Sequence, residues 1–254
     1  MEPPNSAAVV AAAGPMSMSA PPAPIDFATA ANGLCDILGG TEDDGEYHSI
    51  VSSHPSRGFP SDHLVPAGAR RGRVDRLEGY GVAPMMLRPA LHVRYVVANE
   101  RGGASVPLRA GAVLAQWSVP NEHVDGGGWR WPPDAMATVR TKLARFALPP
   151  TLLLAASDGP VRNGRQLQAL WRFETFLELK TLGDTTRLSQ LLSRLSRAVE
   201  SDELGGTNLL DLWVQLPGSR LKVAPYNEIA VCLEMDVERT YAIDALERAC
   251  REVA

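Results

Sequence analysis

Three groups of arginine and tryptophan side chains are the residues of this chain best suited to chemistry, and the chemistry they suit is contact with phosphates and bases. Arg70, Arg71, Arg73 and Arg76 form the densest positive run. A guanidinium presents a planar fork that grips a phosphate with two hydrogen bonds, which lysine cannot do. Trp129, Arg130 and Trp131 follow the triple glycine Gly126-Gly127-Gly128, and flat indole and guanidinium faces are platforms on which any base can stack. Arg187, Arg194 and Arg197 lie in a stretch with helical periodicity; at 100° per residue they fall at about 260°, 240° and 180° from Leu188, on one side of the helix. Each group also has a plain structural reading. The first is a solvated loop offset by Asp75 and Glu78, the second a loop anchor beside Pro132-Pro133, and the third a solvated helix face.

Other chemistry finds less support. His48, His54 and His63 share a stretch with Asp43, Asp44, Glu46 and Asp62, and imidazole with carboxylate can hold a divalent metal, but the spacing matches no standard site. They are read as ordinary loop histidines. Cys35, Cys232 and Cys250 are odd in number and far apart, which fits neither a disulfide framework nor a paired zinc motif; amid Ala and Leu they read as small core hydrophobes. The chain has no Gly-x-x-x-x-Gly-Lys phosphate loop, dinucleotide fingerprint, Gly-x-Ser-x-Gly elbow or His-Glu-x-x-His. The expectation is a protein without catalytic residues, metal or cofactor.

Charge is segregated along the 254 residues. Residues 1–56 hold seven acids and no Lys or Arg, residues 57–197 carry +9, and residues 198–254 carry −6. A basic middle between acidic ends points to a polyanion partner or to charge-complementary self-association. Of the 25 basic residues 22 are Arg; a GC-rich coding sequence would favour Arg, Ala, Gly and Pro together, whatever the function. No run is long and apolar enough to span a bilayer, and Ala7 to Ala13 lacks the flank and length of a signal peptide. A cytoplasmic protein without membrane contact is expected.

The elements that must position these residues are centred on 162–200. Leu188, Leu191, Leu192, Leu195, Ala198 and Val199 line one helix face, predicting a helix over about 185–202 with Asp184 at its N-cap and Gly205-Gly206 beyond its end. Upstream, Leu167, Leu170, Trp171, Phe173, Phe176, Leu177, Leu179 and Leu182 surround most of a helix circumference, which predicts a buried helix paired with the first through Gly183-Asp184. Leu91–Val97 and Ala112–Val119 are β-branched and aromatic, with a turn at Arg101-Gly102-Gly103, and predict a small hairpin. Helices are predicted at Phe27–Leu38, Asp134–Phe146 and Asp236–Val253, a strand or helix start at Thr151–Ala156, and strands at Leu221–Ala224 and Ile229–Leu233; Leu209–Leu216 is too short to classify. Residues 41–81 read as a long loop. Residues 1–26, in which Pro, Ala and Ser supply 16 positions, read as a disordered arm. The fold expected for 27–254 is one irregular, helix-dominated α+β domain.

The leading arm Met1–Asp26, the chain's size and its Arg-rich composition resemble the proline-alanine-serine-rich protein of polymycoviruses, capsid-less double-stranded RNA viruses of fungi. That resemblance implies a non-enzymatic viral coat-like protein that self-associates on RNA, single- or double-stranded, in host cytoplasm. The alternative is a protein-interaction scaffold or viral accessory factor that binds no nucleic acid.

Overall fold

The computed structural model describes residues 33–34, 36–38, 47–53, 61–66, 90–101, 104–119, 122–124, 128–130, 133–157, 165–219 and 230–253. The arm 1–26, the arginines of 70–76 and the strand expected at 221–224 lie outside them. The fold is α+β, but it is not helix-dominated: its frame is a ten-stranded, mostly antiparallel sheet. In chain order the strands are β1 (Tyr47–Ser53), β2 (Ser61–Pro66), β3 (Ala90–Arg94), β4 (Val97–Arg101), β5 (Ala104–Val119), β8 (Leu152–Ser157), β9 (Arg165–Glu178), β10 (Trp213–Gln215), β11 (Val231–Met235) and β12 (Thr240–Tyr241). Two more, β6 (Glu122–Val124) and β7 (Gly128–Arg130), form a separate two-stranded ladder. Helices α1 (Pro133–Arg145), α2 (Leu182–Ala198) and α3 (Ile243–Val253) complete the described elements, with helical turns at Gly33, Leu34, Asp36 and Ile37.

The long strands β5 and β9 pair from Val119↔Arg165 to Arg109↔Glu178, with a bulge between Ala110 and Ala112. β9 corrects the expected buried helix. Its large apolar residues Leu167, Trp171, Phe173 and Leu177 alternate onto one face, while the other face carries Gln166, Gln168, Arg172, Glu174 and Glu178; Leu170 and Phe176 fall on that polar side and fill out what reads as the circumference of a helix. On one face, Trp171 donates to the Leu148 carbonyl (2.8 Å) and meets Phe146 edge to face; Trp117 of β5 donates to the carbonyls of Val199 and Glu200 at the end of α2. On the other face, Gln116 and Gln168 both donate to the Trp213 carbonyl of β10, and Gln168 accepts from the Gln215 amide. The helices therefore cover one side of β5 and β9 while β10 crosses the other. The two ends of the sheet path are joined where Gly218 and Ser219 exchange backbone hydrogen bonds with Ala230.

Further boundaries move. β1 and β2 pair over Tyr47↔Pro66 to Ser52↔Ser61, inside the stretch expected to be loop; alternation there is diluted by Ser, His and Asp. The hairpin is formed by β4 and β5, closing at Arg101↔Ala104 around the glycine pair. α1 and the strands at 152–157 and 231–235 lie close to their expected places. The last helix begins at Ile243, because Thr240 and Tyr241 first pair in parallel with Arg172 and Phe173 of β9.

Candidate nucleic-acid interface

α2 presents two faces because its sequence does. Leu188, Leu191, Leu192 and Leu195 are buried, and the opposite side carries Thr186, Ser189, Gln190, Ser193 and Arg197. The first turn is closed by a capping box. Thr181, not Asp184, is the N-cap; its hydroxyl accepts from the Asp184 amide (3.2 Å) while the Asp184 carboxylate accepts from the Thr181 amide and hydroxyl (both 2.8 Å). These bonds, the Thr181 hydroxyl first, hold the Asp184 carboxyl below the usual carboxylate range.

At the other end the helix stops at Glu200, which adopts a left-handed φ of 50°. Its amide donates to Arg197 and that of Ser201 to Ser196, the pair of bonds that closes a Schellman turn. Glycine is the usual residue there, but Glu200 is held by its surroundings: its carbonyl accepts from Trp117 and Lys142, and its carboxylate pairs with Lys142 and Arg145 of α1. The chain then folds back over the outer face of α2. Glu203 accepts hydrogen bonds from the Ser193 hydroxyl (2.6 Å) and the Gly205 amide (2.8 Å). Gly205 comes so close that a Cβ there would lie 2.5 Å from the Ser189 carbonyl oxygen.

Beside this strap lies an open groove of about 440 Å³. It is lined by Leu182, which is 83% exposed, by the hydroxyl-bearing Thr185, Thr186, Ser189 and Ser193, by Gln190, Arg194 and Arg197, and by Gly205. The three arginines singled out in α2 part company here. Arg187 is engaged, its Nη2 2.7 Å from Asp244 and its Nε 2.9 Å from Glu247 of α3, and the Glu247 hydrogen bond leads the effects that raise its pKa. Arg194 and Arg197 make no ion pair within 4 Å among the described residues. Because β12 runs parallel to β9 and each leads into a helix, α3 lies beside α2. One turn past Glu247, α3 carries Arg251; Arg194 and Arg251 both act electrostatically on the Cys250 thiol.

The remaining sequence candidates do not join this groove. Trp129 and Arg130 belong to β7, in register with His123 and Glu122 of the separate ladder. Trp131 and the cluster Arg70, Arg71, Arg73 and Arg76 lie outside the described residues. So does His54, while His48 and His63 sit on paired strands β1 and β2; among the described residues no group of three metal-ligating side chains converges. Burial pushes the Cys232 and Cys250 thiols up to about 11. Among the described residues no helix is long and apolar enough to cross a membrane. Sequence reasoning missed Glu203 and the hydroxyls. The hydroxyls were visible as Thr186, Ser189 and Ser193 on the face of Arg197; Glu203 was not, because only the fold-back brings it there.

No family model matches the chain, and no curated protein does. Three solved structures are similar in outline. The primase RepB′ has 10% identity and a TM-score of 0.48 over 90% of this chain, which spans 62% of that chain's length. The catalytic domain of primase RepB′ in complex with initiator DNA has 11% identity and a TM-score of 0.47, over 89% of this chain and 93% of that one. The polymerase domain of Mycobacterium tuberculosis ligase D in complex with DNA has 14% identity and a TM-score of 0.34, over 90% and 88%. With primase and polymerase domains as its structural neighbours, the expectation of a coat-like, non-enzymatic viral protein is withdrawn. At these identities no residue role is carried over.

Proposed function

We propose that this chain binds nucleic acid through its phosphate backbone, with the outer face of α2 as a contact surface. The observation that carries the reading is that Arg194 and Arg197 line one groove together with four hydroxyl-bearing side chains and Gln190, beside the exposed Leu182. Arg, Ser, Thr and Gln are the side chains that bond phosphate oxygens, and such bonds position a strand without reading its sequence. Neighbouring Arg187 supplies the contrast: where α3 provides carboxylates, the arginine is already matched. The +9 middle of the sequence adds a long-range field of the right sign. RNA, single- or double-stranded, is the polymer we place first, with self-association between the basic middle and the acidic ends of another copy as an accompanying proposal.

The test is binding of labelled RNA and DNA, duplex and single-stranded, followed by fluorescence anisotropy across a salt series. Arg197 is exposed and Arg194 half-buried, so Arg197→Gln should move stability by about ±0.5 kcal/mol, and circular dichroism and thermal unfolding check that the double substitution Arg194→Gln and Arg197→Gln keeps the fold. It weakens duplex binding and flattens the log–log salt slope by about 0.9 for each phosphate no longer neutralised. Arg187→Gln changes stability slightly and leaves the slope alone. A folded double variant with wild-type affinity and slope removes this groove from the interface. Size-exclusion chromatography at low and high salt reads the self-association.

A further inference from the structure

The Glu203 carboxylate engages two of the residues that line the groove. Its Oε1 accepts from a hydroxyl, Ser193 at 2.6 Å, and from a backbone amide, Gly205 at 2.8 Å. These are two of the donor types that hold a phosphate oxygen. Arg197 acts on it through space, and together these effects hold Glu203 below the usual carboxylate range despite the opposing cost of partial burial. No ion pair within 4 Å joins the two among the described residues; Arg197 is exposed and lines the groove. The strap that carries Glu203 is pinned against α2 by the close approach of Gly205 to Ser189 and Ser193, which fixes the carboxylate at the edge of the groove.

We infer that Glu203 is a built-in competitor for a bound phosphate: held in place by Ser193 and Gly205, its negative charge is felt by Arg197 and lowers the groove's affinity for external phosphate. The inference rests on the reading of the groove as a phosphate-binding surface. A purely structural role for Glu203 would need only its hydrogen bonds; competition needs its charge. Glu203→Gln separates the two, since the amide oxygen can still accept from Ser193 and Gly205.

The experiment uses the full chain, wild type and E203Q, with the arginine Nε–Hε resonances followed by NMR during titration with inorganic phosphate, and duplex RNA binding followed by anisotropy. Removing one negative charge roughly 7 Å from a phosphate in a water-like medium corresponds to about threefold in affinity. The expected result is therefore a tighter phosphate response at Arg197 and about threefold tighter duplex binding in E203Q. Both gains should vanish when E203Q is combined with R197Q. Unchanged phosphate and duplex binding in E203Q overturns the inference, as does a gain that survives in the R197Q background, because that is a general charge effect. If E203Q gains phosphate affinity through Arg197 while no variant binds any nucleic acid, the competitor stands and the nucleic-acid reading falls.

Discussion

Gly205 and Gly206 are adjacent in sequence, yet alanine should have opposite consequences at the two positions. At Gly205 an added Cβ would stand 2.5 Å from the Ser189 carbonyl oxygen and 2.7 Å from both Cβ and Oγ of Ser193. Ordinary contact begins near 3.4 Å, so the strap would have to lift by about 0.9 Å from a helix backbone that cannot yield. Overpacking of this kind costs about 1–3 kcal/mol. For a chain of this size that lowers Tm by about 2–12 °C. At Gly206 nothing lies within 4 Å of the added carbon and φ is not left-handed, so alanine meets no obstacle and restricts the unfolded chain, a gain of about 0.4–1 kcal/mol. Urea and thermal denaturation of both variants measure the difference, with unchanged m-values as the check that only stability has moved. The Gly205 variant should also release Glu203 from Ser193. Equal stability of the two variants would refute the close approach of the strap to α2.

The other expectations are simpler. Thr181→Ala removes the N-cap of α2 and should cost about 1 kcal/mol in urea unfolding; no loss would mean the capping box does not form in solution. The carboxyls of Asp184 and Glu203 are both held below their ordinary range, by the hydroxyls of Thr181 and Ser193 first. Their contribution is therefore complete above the unfolded carboxylate pKa and lost as pH falls through the lower folded values. Melting temperature should drop on acidification, less steeply in Asp184→Asn, and identical slopes would refute the assignment. Leu246 of α3 is fully buried, so Leu246→Ala should cost about 2–5 kcal/mol; a change within error would place that face outside the core. With thiols pushed up to about 11, only about one in a thousand of Cys232 and Cys250 is thiolate at pH 8. Mass spectrometry should find Cys250, which is buried, labelled by disulfide reagents only after unfolding, and Cys232, which is half-buried, labelled slowly in the folded protein.

Local sequence settled what local physics controls. The stripe from Leu188 to Val199 fixed α2, because a helix must repeat its apolar residues every three to four positions to bury one side. α1 was legible from Asp134 at its start and Pro149-Pro150 beyond its end, and Leu91–Val97 and Ala112–Val119 declared themselves extended through β-branched and aromatic content. The arginine side of α2 was equally legible, since a helical wheel needs no tertiary knowledge. What it could not tell was which arginine is matched. Arg187 meets Asp244 and Glu247 only because β12 docks parallel to β9 and carries α3 alongside α2, a pairing across about sixty residues that no local pattern encodes.

The same limit explains the errors at 165–178 and at the end of α2. β9 does alternate, with Gln166, Gln168, Arg172, Glu174 and Glu178 on one side, but Leu170 and Phe176 interrupt that polar side, so counting only the large apolar residues fitted a helix as well as a strand. Gly205-Gly206 looked like the stop signal, but the left-handed residue is Glu200. Its strain is sustained by Trp117, Lys142 and Arg145 from β5 and α1, and Gly205 is needed instead where one backbone presses on another. Periodicity states which side of an element is buried; what lies against that side, and which charges remain to meet a ligand, is decided only when distant segments pack.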